Sequence, residues 1–125
     1  METRTSITTN INGNTPLVKV CGDLDYFTED KFRNAVKSFM DKGCKDIIID
    51  MSEVTFMDSG GMAALVYAIK LLSVQQGRLW LADCNDRVMH KMQIAGFLHL
   101  ADTVNFTVTV DTALSAIGDP GSKKR

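Results

Sequence analysis

Ile47-Ile48-Ile49 is the feature that most constrains this chain. Within Asp46–Met51, three adjacent β-branched residues leave no polar position for a solvated sheet face, so the run predicts a short strand covered on both sides. Such a strand needs helices above and below it, and the flanking sequence supplies them. Upstream, Phe32, Ala35, Val36, Phe39 and Met40 recur at i, i+3, i+4, i+7 and i+8. That is one apolar helical stripe, with Thr28 as its expected cap, Glu29 and Asp30 in its first turn, and Gly43 at its stop. Downstream, Met62 to Val74 predicts a second helix with Met62, Leu65, Val66, Ile69 and Leu72 on its buried side and Gly77 at its end.

The remaining elements follow the same logic. Ile7–Ile11 and Leu17–Cys21 read as two strands joined by an Asn12-Gly13-Asn14 turn, an antiparallel hairpin closed by Gly22-Asp23-Leu24-Asp25. Leu79–Ala82 is the next strand. Asn85 or Asp86 caps a third helix through Val88, Met89 and Met92 to Gly96. Val104, Phe106, Val108 and Val110 alternate with polar residues as in a half-exposed edge strand. Asp111 is the expected cap of a last short helix that Gly118 and Pro120 close. The order β-β-α-β-α-β-α-β-α predicts an α/β domain with a mixed, mostly parallel sheet, an N-terminal antiparallel hairpin and four helices. Residues 1–118 are expected to form this one domain, and 119–125 a disordered C-terminal tail.

Composition narrows the function. With 125 residues there is room for one modest core. A net charge of −1 offers no basic field for a phosphate backbone, so nucleic acid is not an expected partner. No apolar run reaches the roughly 18–20 residues of a membrane span, and the polar N-terminus is unlike a signal peptide, so no membrane partner and a cytoplasmic location are expected. Cys21, Cys44 and Cys84 are odd in number and widely spaced, which indicates neither a disulfide framework nor a metal site.

Between the central strand and the second helix lies Phe56-Met57-Asp58-Ser59-Gly60-Gly61-Met62, a polar hinge where an α/β domain usually presents its chemistry. A nucleophile elbow is absent, since Met57 stands where its first glycine belongs, and neither His90 nor His99 has an acid-base context. No glycine-rich nucleotide-phosphate motif is present. A phospho-aspartate receiver would use Asp50 at the end of its strand, but Asp23 and Asp25 are separated by Leu24 where a magnesium-binding acid pair is needed. Two readings of the hinge remain open from the residues alone. Ser59 is a phosphate acceptor at a helix start, with the amides of Gly60, Gly61 and Met62 unpaired and facing outward as an anion site. Alternatively, Asp58 or Ser59 is only an N-cap, and the glycines ease a tight turn.

At these residues the chain resembles the anti-sigma factor antagonists of the STAS domain family, of the sporulation type. Gly22-Asp23-Leu24-Asp25 is similar to the family's Gly-Glu-Leu-Asp, and Phe56–Met62 to its Phe-Met-Asp-Ser-Ser-Gly-Leu. The element order over about residues 5–117 agrees. The resemblance implies a non-enzymatic switch without a cofactor of its own. Its partner would be an anti-sigma factor serine kinase that supplies ATP and Mg²⁺ and phosphorylates the position held here by Ser59. A PP2C-type phosphatase would reset it. The unphosphorylated form would bind the kinase and so free a sigma factor. Asp25 would lie near the acceptor hydroxyl, with Asp23, Asp58, Gly60, Gly61 and Met62 as its surroundings and the partner surface. Gly60 departs from the family, which has a second serine there. A simple antagonist is expected to be a monomer or dimer, whereas a STAS scaffold or sensor subunit of a larger complex is the alternative.

Overall fold

The computed structural model describes residues 6–97 and 102–118. Their order is β1 (Ser6–Asn12), β2 (Thr15–Leu24), α1 (Glu29–Met40), β3 (Asp46–Met57), α2 (Ser59–Val74), β4 (Arg78–Ala82), α3 (Asp86–Ile94), β5 (Val104–Thr107) and α4 (Val110–Ile117). The strands lie in the sheet in chain order; β1 is antiparallel to β2, and every other pairing is parallel. Among the described residues, no helix is long and apolar enough to cross a membrane. His99, Pro120 and the expected tail at 119–125 fall outside the described residues.

Ile47, Ile48 and Ile49 are fully buried, as a strand covered on both faces requires. Alternation then sorts the sheet into two cores. Val18, Val20, Ile47, Ile49, Leu79 and Leu81 face α1, α2 and α3, where Phe32, Val36, Leu65, Ile69 and Met92 meet them. Ile48, Trp80 and Ala82 face the other way, onto Ala113 and Leu114 of α4. The Trp80 indole donates to Asp46 Oδ1 at 2.8 Å, so its polar edge is satisfied at the sheet margin.

Several local expectations are corrected. The central strand does not stop at Met51 but runs on to Met57. Beyond Asp50, the last residue paired with β4, it pairs with β2 alone, so its exposed Ser52 and Glu53 interrupt the apolar pattern without ending the strand. Asp50 therefore sits mid-strand, with Oδ1 accepting from the Ser52 amide at 3.0 Å, and not at the strand end that a receiver needs. Thr28 precedes α1 but does not cap it through its side chain. Its hydroxyl accepts from the Asp25 amide at 3.0 Å and lies 3.1 Å from the Asp23 carbonyl, tying up the preceding loop instead. Thr109, not Asp111, caps α4, accepting from the Thr112 amide at 3.0 Å, while Asp111 lies in the first turn. The last strand is only four residues long; Val108 is exposed and Val110 has already entered α4. After α2, Gln76 takes the left-handed conformation (φ 59°), and Gly77 instead admits the Lys45 carbonyl, which a Cβ would strike.

Candidate functional site

The two motifs singled out in the sequence meet because β2 and β3 extend together past the rest of the sheet. Register pairs Asp23 with Phe56 and Leu24 with Met57, with irregularities on either side of the Cys21–Gly22 step. Gly22 holds φ 94°, a left-handed conformation that suits a kink in the strand. Leu24 and Met57 are buried and root the extension in the core. Thr55 Oγ1 donates to Asp23 Oδ1 at 3.1 Å across the pair.

Directly after this extension α2 begins at Ser59, whose side of the helix is exposed. Asp58 is the N-cap. Its Oδ1 accepts from the Gly60 amide at 2.8 Å and the Gly61 amide at 3.1 Å, and its Oδ2 lies 3.4 Å from the Tyr26 amide. The Met62 amide donates to the Asp58 carbonyl at 3.0 Å. The amides of Gly60, Gly61 and Met62 are therefore not the unpaired anion site expected from the sequence. A carboxylate one residue away reaches them first and supplies the negative charge that the helix dipole favours.

What approaches the glycines is the chain's own β2–α1 loop. A Cβ on Gly60 would lie 2.5 Å from Tyr26 Cα, and one on Gly61 would overlap the Leu24 carbonyl. At Gly60 this chain packs its loop against bare backbone. Asp25 holds that loop in shape, since its Oδ1 accepts from the Phe27 amide at 3.0 Å and the Thr28 amide at 3.1 Å. Among the described residues, the Asp25 carboxylate makes its hydrogen bonds within its own turn, and none reaches Ser59. The same turn pushes Tyr26 (68% exposed) and Phe27 (87% exposed) outward, edge to face with ring centroids 5.7 Å apart. Phe56 is also exposed, with the Lys91 ammonium 5.2 Å from its ring centroid. Phe56 belongs to the hinge motif, whereas Tyr26 and Phe27 are not among the expected site residues, although two adjacent aromatics inside a polar turn are a signal legible in the sequence.

Met62 also differs from expectation. It and Val66 are only half-buried, because the covered face of α2 is Gly61, Ala64, Leu65, Ala68, Ile69 and Leu72. The other side of the first turns opens onto a groove of about 730 Å³ that Ser59, Met62 and Val66 help to line. His90 is exposed on α3. Elsewhere, burial and the neighbouring Asp83 push the Cys84 thiol up to about 12.

Comparison with known proteins places this geometry. The family model for the STAS domain matches residues 6–113. Among curated relatives, the anti-sigma-B factor antagonist of Listeria monocytogenes is 31% identical over 86 residues, covering 69% of this chain and 75% of that protein. The protein of the same name from Staphylococcus aureus is 29% identical over 83 residues, 66% of this chain and 77% of its own length. Among solved structures, an anti-sigma factor antagonist from Mycobacterium paratuberculosis superposes with a TM-score of 0.80 at 20% identity, covering 92% of this chain and 95% of that one. The phosphorylated form of the Bacillus cell fate determinant SpoIIAA superposes at 0.71 with 19% identity, over 90% and 99% of the two chains. A match across nearly all the described elements leaves one conclusion: the chain belongs to the STAS domain family.

Proposed function

We propose that this protein is an anti-sigma factor antagonist, a regulatory protein without catalysis of its own, switched by phosphorylation of Ser59. In its unphosphorylated form it binds an anti-sigma factor that is also a serine kinase, and so releases a sigma factor. Phosphate on Ser59, delivered from the kinase's ATP and Mg²⁺, ends that binding, and a PP2C-type phosphatase restores it. The observation that carries the reading is the position of Ser59: an exposed hydroxyl on the first residue of α2, between Asp58 and Gly60, both of which meet the exposed Tyr26 turn. The names of the Listeria and Staphylococcus relatives support the antagonist role.

The electrostatics favour a switch acting at the docking surface. Because Asp58 already occupies the amides of Gly60 and Gly61, a phosphate on Ser59 is not drawn into the helix start. It stays at the surface with its charge of about −1.5 to −2 beside a carboxylate. A partner closing over that surface would desolvate both charges, at a cost of several kcal/mol. At about 1.4 kcal/mol per tenfold, such a cost weakens binding by a hundredfold or more without refolding the domain. Incubation with the anti-sigma factor kinase and ATP, followed by phosphopeptide mass spectrometry, tests the assignment. Phosphate is expected on Ser59 and none on the Ser59→Ala protein. Unchanged phosphorylation of Ser59→Ala would move the switch elsewhere.

A further inference from the structure

Helix α2 is apolar on two faces; one is buried, and the other is only partly covered, with Met62 and Val66 touching the core from its edge. Ser59, Met62, Ala63, Val66, Tyr67 and Lys70 fall at i, i+3, i+4, i+7, i+8 and i+11 and line the open groove, beside the face buried through Leu65, Ile69 and Leu72. A helix apolar all round belongs in an interior. Here the outer stripe faces the groove between Arg33 of α1 and Lys91 of α3.

The rim has a definite sign. Arg33 is stacked over Tyr67 at 4.8 Å and paired with Glu29 at 2.8 Å. Lys91 donates to the Met57 carbonyl at 2.7 Å and lies over Phe56, and no carboxylate among the described residues pairs with it. Lys70 has no ion pair among the described residues either. The one acid on the lining, Asp58, is engaged by helix amides. In a chain of net charge −1, this face is locally positive. From Ser59 to Lys70 the helix rises roughly 16 Å, about three turns. Lys70 and Lys91, the lining cations without an ion pair among the described residues, come from two helices, α2 and α3. That arrangement suits an extended occupant with more than one negative charge better than one anionic head group.

We propose that the outer face of α2 is the docking groove for an acidic amphipathic helix of the protein partner. Its apolar anchors, at helical spacing, sit on Met62, Val66 and Tyr67, and its carboxylates meet Lys70 and Lys91. The proposal names the chemistry of the partner at the site described above and rests on that reading. It also gives the phosphate a second opponent, since Ser59 lies at one end of the groove and its dianion faces the incoming acidic segment.

The test uses the whole chain and a synthetic amphipathic helical peptide of about 14 residues, with leucines at i, i+3, i+4 and i+7 and glutamates flanking them. A counterpart carries lysine at every glutamate. Titrated into isotope-labelled protein, the glutamate peptide is expected to bind at least about tenfold tighter than its counterpart. Its amide shifts should cluster at Met62, Val66 and Tyr67. Lys70→Glu alone should reduce that preference, and Lys70→Glu with Lys91→Glu should reverse it; retained resonance dispersion checks that each variant is folded. Equal affinity for the two peptides, or shifts away from α2, would overturn the proposal. So would binding to phosphatidylglycerol vesicles by a protein that ignores the glutamate peptide. The two readings separate cleanly. Phosphorylation on Ser59 without peptide binding removes the acidic helix and keeps the switch, whereas peptide binding without phosphorylation does the reverse.

Discussion

Asp58 decides what Ser59 can do. Its carboxylate satisfies two helix-start amides that a phosphate would otherwise bind, so the hydroxyl beside it remains a surface group. The neighbouring glycines make that arrangement fit. Alanine at a helix glycine normally gains up to about 1 kcal/mol, and less near an end. At Gly61 a Cβ meets the Leu24 carbonyl, which is rooted in the buried extension, so overpacking outweighs propensity. Gly61→Ala is expected to destabilise the protein by about 1–3 kcal/mol in urea unfolding. Gly60→Ala should cost less, because the backbone it meets belongs to the exposed Tyr26 turn. A stabilised Gly61→Ala protein would contradict this packing.

Cys84 is a separate residue-scale case with a definite sign. Below about pH 9 its thiol is protonated whether the chain is folded or not; between 9 and about 12 the unfolded thiol ionises while the folded one keeps its proton. Folding stability therefore falls as pH rises through that window. Thermal melts from pH 8 upward should show a shallower decline for Cys84→Ala than for the unaltered protein. Parallel curves would show that burial does not hold the proton.

At the scale of elements, α2 shows both what the sequence discloses and where it stops. Its existence was legible in the apolar run from Met62, and its start in Asp58-Ser59. Its orientation was legible in part: Leu65, Ile69 and Leu72 are buried as expected, but an apolar stripe on each side hid that Met62 and Val66 lie only half-buried at the edge of the core. Measurement of stability discriminates between them. Leu65→Ala, on the covered side, is expected to cost about 2–5 kcal/mol, and Val66→Ala, in the groove, under about 1 kcal/mol. Equal costs would place both residues in the core. The hidden half of β3 has a different cause. Ser52 and Glu53 look like a loop because only one neighbouring strand accompanies them, and that pairing depends on a partner some 30 residues away in sequence, with a kink at Gly22. Short-range pattern carries no such information. The helix starts were similarly obscured: Thr28 and Asp111 have cap chemistry, but local turn geometry gives the Thr28 hydroxyl to the preceding loop and the cap of α4 to Thr109.

For the whole molecule, the order of elements is what makes a local charge effective. Three crossover helices on one face leave α2 between α1 and α3, and the paired extension of β2 and β3 lifts the start of α2 beyond the sheet. The site is thus held by buried Leu24, Met57 and Leu65 while its outer surface stays open to a partner. Nothing in this arrangement needs to unfold for the surface to change sign. Calorimetric titration of the anti-sigma factor kinase against the protein before and after stoichiometric phosphorylation of Ser59 is the most direct test. The account predicts that affinity drops by about a hundred- to a thousandfold on phosphorylation while the melting profile keeps its native cooperativity. Affinity unchanged by the phosphate would contradict it.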